Sequence, residues 1–462
     1  MLSILRSWWQ DRHLRGIIRS SSYLFSSNGI SAVLSALQGI YAARLLTPAG
    51  YGLVSGTVIV FVSNINRLLS FRMSEVTVKY LQQYLAEGRK DKAGAAAKTI
   101  GITEALTSVA AYLVLLALSP LAARFFAKDM NTVPLFAFYG LALLSNLVYE
   151  TSTGILQTTN RFDRLALISV IQSVITASII MWAFLSRRGI WEVLSAYLIG
   201  KTFAGVAIAL CAYLELNTTL GPGWWRASHK LLPKWREMGL FAINTNLNGT
   251  VNLLVRDSET LIIGFFRSQT EVGYFRNALS IINLVMMPIE PFIGPTYAQI
   301  THTIAQHQWA LTTRLLKRVS AISAAWTLSA GGILALFGWW IIPFLYGKAY
   351  FPAYPAVLIL LVGYGFANIF QWNRPLLLAL GMPDYPLKVA ALSGLVKSIF
   401  SVLLLPLVGY LGESVILSGY FLASISLILR RGLGEVKSRA ADDLLAAGPA
   451  AVPDEVFYTI SK

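Results

Sequence analysis

The sequence predicts an all-α polytopic membrane protein with about twelve transmembrane helices in two six-helix lobes. Of its 462 residues, 55% are hydrophobic and only 13% are Asp, Glu, Lys or Arg, about half of the charged fraction of soluble domains. The apolar residues form long continuous runs, close to the roughly 20 residues that a membrane-spanning helix needs. The second half of the chain repeats features of the first half in the same order.

The long apolar segments predict the positions of twelve helices, numbered here span 1 to span 12. Their continuity excludes an outer-membrane β-barrel, because barrel strands alternate apolar and polar residues. The predicted spans are 23–46, 51–72, 99–122, 133–156, 164–186, 190–215, 239–266, 272–300, 320–345, 353–380, 386–408 and 411–430.

Two pairs of matching segments indicate an internal repeat. Gly50-Tyr51 corresponds to Gly273-Tyr274 at an offset of 223 residues, and Asp163 corresponds to Asp384 at an offset of 221. Six helices per unit make the repeats parallel, as in many transporters. The predicted organisation is a basic cytoplasmic N-terminus at 1–22, an N-lobe at 23–216, an interfacial linker with tryptophans at 217–237, a C-lobe at 238–430 and a disordered cytoplasmic tail at 431–462.

The distribution of Lys and Arg predicts the orientation in the membrane. The segments on the side of the N-terminus, with the tail, carry 24 of the 38 Lys and Arg residues, and the opposite side carries seven. Loops rich in Lys and Arg stay in the cytoplasm, so both termini are predicted to be cytoplasmic, in the inner membrane of the cell. Most of the net charge of +16 then lies on the cytoplasmic face, next to anionic membrane lipids. No nucleic-acid partner is expected.

The sequence contains no motif that indicates an enzyme. We find no Walker loop, dinucleotide-binding fingerprint or nucleophile elbow. The four histidines lack metal-ligand spacing, and the one cysteine, Cys211, lies in an apolar run. We therefore expect a protein without catalytic activity, metal or cofactor.

Seven cations fall within the predicted spans, where an ionisable side chain is costly and is a functional candidate by default. At 1.5 Å per residue, Lys201 and Lys397 lie about 16 Å into their helices, near the membrane midplane. Cations closer to helix ends can have a structural role instead of a functional one, since their side chains can extend to water. Lys201 also has a structural interpretation, as a neutral amine that is hydrogen-bonded. The candidates for substrate binding are Arg67, Arg256, Arg276, Lys397 and Lys201.

Polar residues in spans 1, 2 and 7 predict the wall of a water-filled cavity. In span 7 they recur every four residues, which places them on one helix face. The alternative is hydrogen bonding between helices. The cavity-lining candidates are Ser31, Asn64, Asn244, Asn248 and Asn252.

Two acids are candidates for coupling transport to H⁺ or Na⁺. Asp257 adjoins Arg256, and Glu290 lies between Pro288 and Pro291, where a helix bends and exposes carbonyl groups. A static kink without an ion explains the prolines equally well.

Three segments carry a family pattern: Ala43–Gly52, Asp257–Phe266 with Val272-Gly273-Tyr274, and Leu380–Lys388. They resemble the O-antigen-type flippases for lipid-linked oligosaccharides, within the multidrug/oligosaccharidyl-lipid/polysaccharide exporter (MOP) superfamily. The resemblance implies two lobes arranged as a V, a central cavity lined by spans 1, 2, 7 and 8, and alternating access. It also implies an oligosaccharide on a polyprenyl pyrophosphate carrier as substrate, with polysaccharide polymerase and glycosyltransferases as functional partners.

The leading hypothesis is therefore a flippase that moves lipid-linked oligosaccharide from the inner to the outer leaflet. The cavity cations suit a pyrophosphate, because arginine binds phosphate oxygens in a bidentate manner. A drug/cation antiporter of the same superfamily is the main alternative, although it favours an acidic cavity. A membrane glycosyltransferase or polymerase is a further alternative, disfavoured by the short outward connections.

Overall fold

A computed structural model describes residues 12–69, 73–232, 237–240 and 258–447 of the chain. The described residues are helical with connecting turns, and no strand occurs among them, which confirms the all-α prediction. They form two compact units. One contains residues up to 277 together with Ile342–Phe351, and the other contains Ala278–Ile341 and the residues from Pro352 onward. The lobe boundaries given above stay a prediction.

The described residues of the first unit form ten α-helices, the start of an eleventh and the segment Ile342–Phe351. A π-helical segment, Gly52–Val58, joins α2 to α3. The helices are α1 Arg12–Leu45, α2 Pro48–Tyr51, α3 Ile59–Leu69, α4 Met73–Ala86, α5 Lys90–Ala122, α6 Val133–Ser145, α7 Tyr149–Thr158, α8 Phe162–Leu185, α9 Ile190–Leu220, α10 Glu259–Phe266 and the beginning of α11 Gln269–Met286.

The second unit contains the rest of α11 and most of the chain after it. Its helices are α12 Ile293–Ala305, α13 Trp309–Tyr346, α14 Ala353–Ile369, α15 Asn373–Ala379 and α16 Asp384–Ala447. Polar pairs join α13 to the α14–α15 region, as is common between membrane helices. Asn368 donates to Thr327 at 2.9 Å, and Trp372 donates to Ser320 at 2.7 Å.

Eight helices in the described ranges are long and apolar enough to cross a membrane, and a bent pair makes nine. The predicted spans overlap described helices except span 7, of which the structure describes only 239–240 and the residues from 258 onward. Span 1 lies in α1, which is not among the eight helices or the bent pair. Spans 11 and 12 both lie in α16, where Gly409 interrupts the helix with φ 64° and ψ −157°. The chain is therefore a multi-pass membrane protein, and the count of twelve helices stays a prediction.

Span 4 is broken into α6 and α7, and a buried acid explains how the break is tolerated. Backbone N–H groups at the start of a helix have no partner within the helix. Both carboxylate oxygens of Glu104 accept such groups at the start of α7, from Glu150 and Thr151, each at 2.8 Å. Glu104 is only 1% exposed, so this acid within span 3 has a structural role that depth alone did not indicate.

Span 8 bends by 47° between α11 and α12. The bend lies at a short 3-10 segment, Glu290–Phe292, where the sequence has the two prolines. Proline removes a backbone donor and clashes with the preceding turn, so the kink predicted at Glu290 is present.

The helix at the C-terminal end extends further than the sequence suggests. The sequence predicts a disordered tail from residue 431, whereas α16 continues to Ala447. Asp443 accepts hydrogen bonds from Trp309 at 2.5 Å and from His307 at 2.6 Å. Arg439 donates to the Leu380 carbonyl at 3.0 Å. These contacts with the rest of the second unit explain the order of residues 431–447.

Candidate functional site

Lys201 is the centre of a group of cations and tyrosines in the first unit. It lies on α9, which is long and apolar and therefore positions the lysine at membrane depth. Its Nζ lies 5.9 Å from the centre of the Tyr139 ring on α6, a geometry that allows a cation–π interaction. Protein atoms surround Lys201, yet part of its surface stays accessible.

Two further predicted cations approach the same region from other helices. Arg67, on α3, is close enough to Lys201 for their positive charges to repel. Arg276, on α11, interacts electrostatically with Tyr197, which is one turn before Lys201 on α9. Arg67 is exposed and Arg276 is partly exposed. We call Arg67, Lys201 and Arg276 the cation cluster.

The chemistry of the cation cluster is suited to an anion. Like charges held near each other repel in a medium of low dielectric constant, and a bound anion removes that repulsion. Arginine supplies a planar fork of donors that matches phosphate oxygens, and lysine adds a compact charge with three donors. Tyr139 and Tyr197 were not predicted from the sequence, because a tyrosine in an apolar helix gives no signal that separates a site from an ordinary core.

Two of the predicted cavity-lining residues form hydrogen bonds between helices. The Ser31 hydroxyl on α1 lies 3.2 Å from the Ser169 hydroxyl on α8. Asn64 on α3 donates to Ser258 at 3.3 Å and is 7% exposed. These contacts match the alternative of hydrogen bonding between helices, and a role for Ser31 or Asn64 at a cavity surface stays a prediction.

Lys397 has a local partner in the second unit. Its Nζ lies 3.8 Å from Oε1 of Glu413, and the two side chains are 3% and 0% exposed. A buried cation beside a buried acid is neutralised locally, which favours a structural role over substrate binding. Glu413 was not among the sequence candidates; it lies near the start of span 12, directly after Gly409 and Gly412, which have the pattern of a turn.

Of the six remaining candidates, the structure describes only Glu290. Glu290 is exposed at the bend of span 8. Arg256, Asp257, Asn244, Asn248 and Asn252 lie outside the described residues. Among the residues that the structure describes, no group of three or more His, Cys, Asp or Glu is arranged to hold a metal ion.

The repeated glycine signatures meet at one end of the first unit. We call the end where α1 finishes at Leu45 the distal end. There, a Cβ atom on Gly273 would overlap the carbonyl oxygen of Pro48, and one on Gly52 would lie 2.6 Å from the backbone nitrogen of Gly273. Thr57 donates to the side-chain oxygen of Gln269 at 2.8 Å. This packing of 48–58 against 269–276, the distal contact, is possible only because glycine brings the two backbones together.

Comparison with known proteins gives the family and the fold. The model of the polysaccharide biosynthesis protein family matches residues 42–355. An Escherichia coli (strain K12) protein named inner membrane protein YghQ is 27% identical over 184 residues, which is 39% of this chain and 51% of that protein. The chain thus spans about half the length of the curated relative that it matches.

Two solved transporters share the fold at low sequence identity. A multidrug resistance MATE family transporter of the MOP superfamily, in an inward-facing conformation, has a TM-score of 0.70 at 14% identity, covering 91% of this chain and 98% of that one. The lipid II flippase MurJ, in an inward closed conformation, has a TM-score of 0.70 at 14% identity, covering 91% of each chain. The chain belongs to the polysaccharide biosynthesis protein family and has the fold of MOP superfamily transporters.

Proposed function

We propose that this protein is a flippase that moves an oligosaccharide on a polyprenyl pyrophosphate carrier from the inner to the outer leaflet of the cytoplasmic membrane. The observation that carries the proposal is the cation cluster. Three separate helices supply it, since Arg67 interacts with Lys201, and Arg276 interacts with Tyr197 one turn before Lys201. The family name and the fold shared with a lipid II flippase support the same substrate class.

The pyrophosphate is the part of such a substrate that most needs the protein. Its charges are costly to move through hydrocarbon, and each charge-assisted hydrogen bond to a cation contributes about 1.5–3 kcal/mol. The cations offset the loss of hydration, while the polyprenyl tail stays in lipid. Tyr197, which is partly exposed beside the cations, offers a surface for the first sugar.

The distal contact supports a cycle of alternating access. It holds two helix segments together at the end predicted to face outward, so release of the substrate on that side requires these segments to separate. The packing combines close glycine contacts with the hydrogen bond between Thr57 and Gln269, and this combination suits a contact that forms and breaks in each cycle.

Several finer assignments belong to the same proposal. The protein acts without catalysis or a bound cofactor, its termini face the cytoplasm, and polymerase and glycosyltransferases act on the same glycan before and after it. H⁺ or Na⁺ coupling through Asp257 or Glu290 is retained as a proposal.

A drug/cation antiporter is the second candidate, because a MATE family transporter shares the fold. A cationic drug requires acids in its binding site, whereas the cation cluster repels it. Efflux of ethidium by the purified protein in vesicles, without transport of lipid-linked oligosaccharide, would favour the antiporter.

Translocation in cells tests the proposal. In a strain that lacks the gene, we would measure surface glycan and the fraction of lipid-linked oligosaccharide in the outer leaflet. We expect Lys201→Ala to lower translocation by about tenfold or more, the loss of one charge-assisted contact. Lys201→Arg should restore part of it, since the charge is kept.

Lys90→Ala is the matched control, because Lys90 is an exposed lysine on α5, outside the cation cluster. We expect it to export glycan at the wild-type level. Wild-type export by Lys201→Ala, Arg67→Ala and Arg276→Ala, each at normal protein amounts, would contradict the role of the cation cluster.

A further inference from the structure

A cavity lies in the first unit, at the distal end, and no residue of the cation cluster lines it. Its volume is about 590 Å³, within the range of small-molecule sites. Three connections form it: the turn after α1, the segment before α6 and the turn between α8 and α9. We call it the distal cleft. Its lining includes Thr47, Asp129, Asn131, Arg188 and Trp191.

The connections that form the distal cleft are held in place by their own side chains. Thr47 accepts from the Gly50 backbone nitrogen at 3.2 Å, and Asp129 accepts from that of Asn131 at 2.9 Å. Glu192 accepts from the Gly189 backbone nitrogen at 2.9 Å. Each bond caps the start of a helical segment, so the cleft exists before a ligand arrives.

The side chains of the distal cleft combine one flat apolar ring with several planar polar groups. Trp191 is 48% exposed, and Phe138 packs edge-on against it at 5.5 Å between ring centres and 71° between planes. Asp129, Asn131 and Arg188 are exposed around it. The hydroxyls of a sugar ring both donate and accept hydrogen bonds, and its C–H faces are apolar. A carboxylate, an amide, a guanidinium and an aromatic face complement those groups.

We propose that the distal cleft binds a sugar ring of an oligosaccharide, with Trp191 against the ring face and Asp129 and Asn131 bonded to its hydroxyls. This site goes beyond the proposed transport site. It places a second sugar contact at the end predicted to face outward, where a glycan that has crossed the membrane is received.

Tryptophan is also common at membrane interfaces, where it anchors a helix without binding any ligand. That explanation accounts for Trp191 alone. It does not account for the capped polar groups that share a cavity with it, and the two explanations differ in whether sugar binding depends on those groups.

Direct binding to the purified full-length protein in nanodiscs tests the distal cleft. The probe is the water-soluble oligosaccharide released by mild acid from the lipid-linked pool of the strain that carries the gene, observed by saturation-transfer NMR. We expect Trp191→Ala to bind the probe at least about fivefold more weakly, as for a lost aromatic contact. Trp191→Phe should lose less, and Asn131→Ala should also bind more weakly.

Trp339→Ala is the matched control, since Trp339 is 57% exposed in the second unit and does not line the cleft. It should bind as the wild type does, and thermal unfolding checks that every variant is folded. The proposal is overturned if the wild type does not bind the probe, or if Trp191→Ala and Asn131→Ala bind it as the wild type does. Loss of binding in Lys201→Ala alone would assign the sugar to the cation cluster and would also overturn the distal cleft. This inference rests on the proposed substrate class, because the probe is the glycan of that substrate. Unchanged probe binding in Trp191→Ala, with glycan export still lost in Lys201→Ala, would overturn the distal cleft and leave the proposed function standing.

Discussion

The distal contact gives the sharpest mechanical prediction, for the substitution Gly273→Ala. The added methyl group would overlap the Pro48 carbonyl oxygen and lie 2.8 Å from the Pro48 carbonyl carbon. A backbone cannot rotate away as a flexible side chain does, so the two segments must move apart. Overpacking of this kind costs about 1–3 kcal/mol.

This cost applies to the closed distal contact and not to the separated state. The equilibrium between the two states should therefore shift toward separation by about 5- to 150-fold. The same methyl at Gly332 is the control, because nothing lies within 4 Å of a Cβ there. Gly332→Ala in α13 should leave the equilibrium unchanged and stabilise its helix by up to about 1 kcal/mol.

Cysteine labelling in intact cells measures the shift. In a Cys211→Ser background, Ser55→Cys places a thiol within the π-helical segment, where the native side chain is 6% exposed. An impermeant maleimide should label this cysteine at least about fivefold faster when Gly273→Ala is present. Lys128→Cys, in the predicted outward connection, serves as the labelled reference, and Lys90→Cys should stay unlabelled.

Two results would refute the reasoning. Equal labelling rates with and without Gly273→Ala, at normal protein amounts, would mean that the two backbones are not closely packed in the membrane. Labelling of Lys90→Cys in intact cells would reverse the predicted orientation. If Gly273→Ala lowers the amount of protein, Gly52→Ala repeats the test from the other side of the contact.

Three further predictions concern buried acids, each checked by thermal unfolding of the purified variant. Glu104→Ala leaves two backbone donors of α7 unpaired and should destabilise the protein by about 3 kcal/mol, with a smaller loss for Glu104→Gln, which keeps one acceptor; equal stability of both variants would contradict the capping role. Glu215→Ala should lower the free energy of unfolding by about 1 kcal/mol. Its partners Arg161 and Arg164, at 3.0 and 3.2 Å, are 45% and 34% exposed and would be hydrated without it. A decrease of more than about 3 kcal/mol would show that the ion pairs are less hydrated than these exposures indicate. Lys397→Met should cost about 3–5 kcal/mol by leaving Glu413 buried without its cation, and combining it with Glu413→Leu should recover most of that; loss of glycan export by Lys397→Met at full stability would instead favour substrate binding by Lys397.

The sequence by itself determined the class of the protein and the approximate limits of most of its membrane helices. Hydropathy is a local property, so a run of apolar residues defines a span without knowledge of its neighbours. The positions of Arg67, Lys201, Arg276 and Lys397 along their helices followed in the same way from the rise per residue. The bend at Glu290 was also predictable, because proline acts on its own helix.

Tertiary structure decided which charges meet. Successive residues on a helix point about 100° apart, so depth is readable from the sequence, whereas the direction a side chain faces depends on how the helix packs. Arg67, Lys201 and Arg276 converge on one region, while Lys397, at the same predicted depth as Lys201, faces Glu413. Glu104 likewise faces the start of α7. The energetic cost of burying a charged side chain means that the charge needs a partner. Only the packing of the helices shows whether that partner belongs to the protein or to a ligand.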